Sequence, residues 1–227
     1  MMPGHPFATP IAWWAGAQVA KVVSVQDPQS LSRVQVQLLG PDADNDAPVW
    51  ARVVVPFAGD NYGALLIPDV DEEVLVIFVA GDPRNPVVVG SLWNGGTSIP
   101  ETIGGSNVDR WTLTGKNGTR IAIVEESSGQ EKVEIETPAG VKATLTDESG
   151  GKIKLEAAGN TVTMDTQGVS VEAASKVKVS ASQVEVSAGM VKVDAGMSKF
   201  SGVVKCDTLI ATTVVGSTYT PGAGNVW

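Results

Sequence analysis

The second half of the chain repeats short couplets in which two apolar residues flank one polar residue. Successive couplets begin 9, 7, 8, 7 and 7 residues apart. Strict alternation over so short a run predicts a strand with one buried and one solvent-exposed face. Repetition at a fixed period predicts a rod or solenoid, which is more often mechanical than catalytic. The predicted shaft core is Ile153, Leu155, Val162, Met164, Val169, Val171, Val177, Val179, Val184, Val186, Val191 and Val193.

One couplet cannot hold a strand by itself. Burying its two apolar side chains is worth about 3–5 kcal/mol, whereas ordering its seven or eight residues costs on the order of 7–15 kcal/mol of backbone entropy. The strands must therefore stack on neighbours. Three successive couplets of one chain could form a triangular coil, or one couplet from each of three chains could form each layer of a trimeric prism. Periodicity alone leaves both arrangements open.

The first half has a different texture, with alternating β-type runs separated by turns rich in Gly, Pro, Asp and Asn. The runs are Val19–Val25, Arg33–Leu39, Val49–Pro56, Val74–Val79 and Val87–Gly90. Five or six short strands in about 80 residues predict a small closed or partly open barrel. We therefore expect an all-β chain with an N-terminal arm (1–15), a barrel (16–95), a linker (96–113), a shaft (114–216) and a tip segment (217–227).

Charge argues against binding to nucleic acid or to an anionic membrane surface. The 227 residues carry a formal net charge of −9, and residues 1–113 hold 12 acidic but only 5 basic side chains. Phosphate neutralisation by Lys and Arg supplies most nucleic-acid affinity, so no nucleic-acid partner is expected. Met1–Trp14 holds no Lys or Arg and is not expected to be a Sec signal, which predicts synthesis in the cytoplasm without a signal peptide.

Candidate chemistry is weak throughout the chain. The acidic cluster of Asp69, Asp71, Glu72 and Glu73 has no histidine nearby and is interpreted as a wet turn and strand edge. A second group, Asp42, Asp44 and Asp46, has calcium-like spacing but lacks the glycine and downstream glutamate of an EF-hand loop. The only histidine is His5, in the arm. No catalytic residue, cofactor site or metal site is predicted, and the chain is not expected to be an enzyme.

Several motifs in the barrel segment resemble the gpV/VgrG-type central spike proteins, the baseplate assembly protein V family of contractile phage tails and related injection machines. The blocks stand in the family's order over roughly 75 residues. They are Lys21–Pro28 with Ser32–Val36, Trp50–Gly59 beginning Trp-Ala-Arg, Asp71–Val76, and Gly81–Gly95 containing Gly-Asp-Pro-Arg-Asn-Pro. The couplets and the closing Tyr-Thr-Pro-Gly-Ala-Gly-Asn-Val-Trp are also similar to baseplate V proteins.

This resemblance implies an OB-fold barrel followed by an intertwined trimeric β-helix or β-prism needle, and it favours the three-chain arrangement of the couplets. It implies a homotrimer that docks on a baseplate hub protein, makes transient contact with the target membrane and pierces the envelope. A PAAR-type tip protein and tube-loaded cargo are further partners that it allows. It places the protein in the baseplate of a virion or of an extracellular or cell-anchored injection system.

Two family features do not carry over, because residues 94–113 leave no room for a lysozyme domain and no His-x-His motif stands at the tip. We expect Tyr219, Pro221 and Trp227 to cap the needle or to contact a tip protein. Trp50 and Trp93 are expected in the barrel core or at a trimer contact. The alternative hypothesis is a trimeric adhesive or surface fibre that binds a ligand at its tip.

Overall fold

The structure is a computed structural model that describes residues 16–40 and 47–218. The chain divides into two compact units, 1–175 and 176–227. The first unit contains fourteen strands among its described residues. They are β1 (Gln18–Ser24), β2 (Val34–Leu38), β3 (Val49–Val53), β4 (Ala58–Gly59), β5 (Tyr62–Gly63), β6 (Glu73–Phe78), β7 (Pro86–Leu92), β8 (Arg110–Thr114), β9 (Arg120–Val124), β10 (Lys132–Glu136), β11 (Lys142–Thr146), β12 (Lys152–Ala157), β13 (Asn160–Asp165) and β14 (Gly168–Glu172).

Five strands close into a barrel in the order β1-β2-β3-β7-β6. All neighbours are antiparallel except β3 and β7, which are parallel, and β6 pairs with β1 to close the ring. Alternation places every second side chain inside. Val22, Val34, Val36, Val74, Val76 and Val88 are fully buried there. The predicted all-β fold with an OB-type barrel is confirmed.

The other long strands form one antiparallel sheet in which β8 to β14 lie side by side in chain order. Tight hairpins join them, and Gly118 and Gly140 take the left-handed backbone conformation, with φ of 87° and 79°, that side chains disfavour. The sheet begins at Arg110, so it starts inside the predicted linker 96–113. The reason is that Trp111 and Leu113 form an apolar couplet of their own, which pairs with Ile121 and Ile123.

The second unit has no strand among its described residues, 176–218, and its side chains are exposed. Cys206 is exposed in this unit as a free thiol. No helix in the described ranges, 16–40 and 47–218, could cross a membrane.

Candidate functional site

One face of the seven-stranded sheet is apolar from edge to edge. The register places one residue from each strand in a row across the sheet, and two rows share this face. The first row is Trp111, Ile123, Val133, Leu145, Ile153, Met164 and Val169, and the second is Leu113, Ile121, Ile135, Ala143, Leu155, Val162 and Val171. We call these fourteen residues the apolar face.

The apolar face is open in the single chain. Ile123 and Leu155 are each 45% exposed, and Trp111 is 53% exposed. A groove with a volume of about 720 Å³ lies over this face and is lined by Ile123, Val133, Leu145 and Ile153. A monomeric protein rarely exposes a contiguous apolar patch of this extent, so the face is a candidate interaction surface.

The opposite face of the sheet carries charge. Its central row reads Thr112, Ala122, Glu134, Thr144, Lys154, Thr163 and Ser170 across the seven strands. Polar and charged side chains on one face and apolar side chains on the other are typical of a sheet that is buried on one side only.

Near β8 and β9 these charges form a network that ties the connector to the sheet. Glu101, from the connector between β7 and β8, accepts from Arg120 Nε at 2.5 Å and from Arg110 Nη1 at 3.5 Å. Arg120 Nη1 also donates to Glu134 Oε2 on β10 at 3.0 Å. The side chains of Glu101 and Glu134 are only 18% and 13% exposed. We call Glu101, Arg110, Arg120 and Glu134 the connector network.

The connector network favours the ionised forms of its two carboxylates. The hydrogen bond from Arg120 holds the pKa of Glu101 below its ordinary value, although burial opposes this. Burial raises the pKa of Glu134, but the hydrogen bond from Arg120 and the charges of Lys142 and Lys132 outweigh it, so this pKa is also lowered. Both groups are therefore charged at neutral pH.

Apart from the connector network, an ion pair joins the barrel directly to the sheet. Lys116 lies in the turn between β8 and β9, and its ammonium contacts the carboxylate of Asp69, just before β6. The hydrogen bond from Lys116 lowers the pKa of Asp69. The barrel end that carries Asp69 therefore faces the first hairpin of the sheet.

Both halves of this architecture match known domain families. Residues 18–93, which span the barrel, match the type VI secretion system and phage-baseplate injector OB domain. Residues 132–197, which begin at β10, match the phage baseplate V C-terminal trimerisation domain. The chain belongs to the phage baseplate V family of spike proteins.

The chain is also similar to parts of several longer spike proteins. The type VI secretion system spike protein VgrG1c of Pseudomonas aeruginosa is 30% identical over 100 residues, which are 41% of this chain and 14% of that protein. VgrG5 of the same organism is 34% identical over 109 residues, 44% of this chain and 14% of the relative. VgrG3 of Vibrio cholerae is 39% identical over 51 residues, 22% and 5% respectively. The chain thus spans less than a sixth of these relatives.

The predicted shaft core divides between two environments in this baseplate V protein. The first three couplets lie in β12, β13 and β14 and belong to the apolar face. These strands are antiparallel neighbours, so these couplets do not form a single-chain triangular coil. The last three couplets, Val177/Val179, Val184/Val186 and Val191/Val193, lie in the second unit, where the described chain forms no strand and they are exposed. Their role as core stays a prediction.

The predicted tryptophans lie at different places in the barrel. Trp50, on β3, is half-buried, and the guanidinium of Arg33 lies 5.7 Å from its ring centroid. Trp93 follows β7 and is 70% exposed. Trp93 is therefore not part of the barrel core. Its other predicted role, a contact with a second chain of the trimer, stays a prediction. The predicted tip residues Tyr219, Pro221 and Trp227 lie outside the described residues.

Two carboxylates of the acidic cluster are held in ion pairs. Asp69 pairs with Lys116, and Asp71 Oδ1 accepts from Lys21 Nζ at 2.7 Å. Among the described residues no three His, Cys, Asp or Glu side chains are placed to hold a metal ion. The Asp42, Asp44 and Asp46 group and His5 fall outside the described ranges.

Several residues of the apolar face were missed at the sequence level. Their signal was present, since Trp111/Leu113, Ile121/Ile123 and Val133/Ile135 repeat the same apolar-x-apolar alternation. Irregular turns separate these early couplets, which hides the fixed period that identifies the later ones. The connector network gave no such signal, because Glu101 meets Arg120 only after the connector folds back on the sheet.

Proposed function

We propose that this protein is the homotrimeric central spike of a contractile, phage-tail-like injection particle. The observation that carries the proposal is the apolar face: eleven of its fourteen positions are exposed in one chain, and the part of the face from β10 to β14 falls in the matched trimerisation domain. Three copies can turn these faces toward a common axis and keep the charged faces in water.

The barrel and the sheet would then have separate tasks. Three barrels would form a ring that docks on the baseplate hub, and three sheets would form the shaft that points toward the target. Strands that lie around a closed prism leave no free lateral edge, which suits an object that is pushed along its axis. Contraction of the sheath would supply the work of piercing, so the spike itself needs no catalytic residue.

The spike relatives support this proposal through the domains that they share with the chain. Residues 217–227 would cap the shaft or seat a tip protein, as the sequence predicts for Tyr219, Pro221 and Trp227. The parent particle could be a virion or a secretion apparatus, and the proposal is the same for both.

Electron microscopy of particles from the producing cells tests the proposal. We expect antibody or tag density for this protein at one end of a sheathed tube, on the axis and beneath the baseplate. Density at the tips of unsheathed surface fibres would instead support the adhesive fibre and would contradict the spike.

A further inference from the structure

A small pocket opens at the barrel end that faces away from the sheet. It has a volume of about 430 Å³, and we call it the arginine pocket because Arg33, Arg52 and Arg84 line it together with Trp50 and Asn85. Strand β7 runs from Pro86, beside this pocket, to Leu92, whose partner Glu73 lies at the end near the sheet. About seven residues, or roughly 20 Å of strand, therefore separate the arginine pocket from the sheet side.

Two of the three arginines are held by aspartates of their own turns. Arg33 donates to Asp27 through Nε at 3.0 Å and Nη2 at 2.7 Å, and Asp27 also accepts the backbone N–H groups of Gln29 and Leu31. Arg84 donates to Asp82 through Nε at 3.0 Å and Nη2 at 2.8 Å. The hydrogen bond from Arg84 lowers the pKa of Asp82 to about 2. In both pairs the charge of the arginine is compensated by the carboxylate of its aspartate.

Arg52 is the third arginine of the pocket, and no carboxylate among the described residues is paired with it. Its side chain is exposed on β3, beside Val87 of β7, and within the described ranges it has no ion-pair or hydrogen-bond partner. The barrel segment 16–95 has four Lys and Arg residues in all, and three of them meet here. The pocket therefore presents one uncompensated positive charge on a chain whose net charge is −9.

We propose that the arginine pocket binds one carboxylate, flanked by apolar side chains, from the protein that sits on this end of the barrel. This inference rests on the proposed function, because that end is the one a hub would cover. A planar guanidinium matches a carboxylate through two parallel hydrogen bonds. Trp50, Leu31 and Pro86 supply apolar walls for the neighbouring side chains of the partner segment.

The single uncompensated charge of the arginine pocket favours a carboxylate over a nucleic acid as its ligand. A polyphosphate chain needs several cations along its path, and its affinity follows the number of phosphates neutralised. The arginine pocket offers one open cation, and the acidic remainder of the chain repels a polyanion. A single carboxylate in an apolar segment fits both the charge and the size of the pocket.

The test is a titration of the purified full-length protein labelled with 5-fluorotryptophan, followed by ¹⁹F NMR. Trp50→Phe identifies the Trp50 signal. The probes are the peptides acetyl-Leu-Glu-Leu-amide and acetyl-Leu-Gln-Leu-amide, inorganic phosphate, and an oligothymidine. We expect the Glu peptide to move the Trp50 signal saturably, with half-saturation at roughly millimolar concentration, and the Gln peptide to bind about tenfold more weakly.

Substitutions locate the binding. Arg52→Gln is expected to weaken the Glu peptide about tenfold, and Arg52→Lys less, because Lys keeps the charge without the fork geometry. Lys21→Gln is the matched control, since it removes the same charge from a lysine paired with Asp71 outside the pocket. Equal affinity for both peptides, no effect of Arg52→Gln, no saturable shift, or tighter binding of phosphate or oligothymidine would overturn the proposal. The titration needs no particle, so its failure would leave the spike location to microscopy.

Discussion

The barrel and the seven-stranded sheet share the same alternation of apolar and polar residues, but only the barrel buries its apolar side chains within one chain. The barrel curls until its apolar side chains meet, and Val22, Val36 and Val76 are fully buried by the chain itself. The sheet does not close on itself, and its apolar face stays about half exposed. A barrel can complete its core within one chain, whereas this sheet needs further copies.

The difference separates two kinds of stability. The energy of the barrel depends on the fold of one chain, so it does not depend on protein concentration. The energy of the sheet includes the association of copies, so it rises with concentration by mass action. Substitutions in the two regions should therefore affect different observables.

The largest effect is expected from a charge on the apolar face. Val162→Asp places a carboxylate on the apolar face in β13, where association would bury it without a partner, at a cost on the order of 3 kcal/mol per chain. We expect loss of the trimer, measured by light scattering. Thr163→Asp, one residue along β13 on the charged face, is the matched control and should leave the mass unchanged. Similar loss in both variants would contradict the assignment of the faces.

The second effect is expected in the barrel core. Val22→Ala removes two methyl groups from a fully buried site and should cost about 2 kcal/mol through lost burial and a residual cavity. The neighbouring Val23, 39% exposed on the same strand, gives the control Val23→Ala, which should cost much less. Urea unfolding followed by tryptophan fluorescence measures both. We expect the mass of the assembled protein to stay unchanged, and dissociation by Val22→Ala would break the distinction between the regions.

Sequence reasoning reached the barrel and the later couplets because both depend on local alternation. It assigned Ile153 and Leu155 to a buried strand face and anticipated that one strand could not persist alone, but periodicity left the single-chain coil and the three-chain prism both open. It missed Trp111 and Ile123, whose couplets are separated by irregular turns. Contacts such as Glu101 with Arg120 depend on where a connector folds back, which no local pattern encodes.

The connector network should make the sheet sensitive to acid. Glu101 and Glu134 have lowered pKa values in the folded chain. Their contribution is thus present above their ordinary pKa of 4.5 and is lost as pH falls through the lower folded values. Glu101→Gln should cost about 1 kcal/mol at neutral pH and should flatten the loss of stability in acid.

Thermal melting between neutral and acidic pH measures this effect. Glu126→Gln is the control, because Glu126 binds the same Arg110 but its side chain is 53% exposed, where ion pairs contribute little. A steeper acid dependence in Glu101→Gln than in the unsubstituted protein would show that the sign is wrong.

The smallest effect is expected at the ion pair between the barrel and the sheet. Lys116 and Asp69 are 65% and 42% exposed, so solvent screens their attraction. Lys116→Ala should not measurably change the unfolding of either region, and added salt should change nothing further. A large shift of both unfolding transitions would show that the two regions fold as one cooperative unit.

The mass of the protein in dilute solution tests the central claim most directly. Native mass spectrometry and light scattering of the full chain should give three times the chain mass of 23.5 kDa, with a trimer that persists on dilution. A stable 23.5 kDa monomer with its apolar face in water would contradict the account.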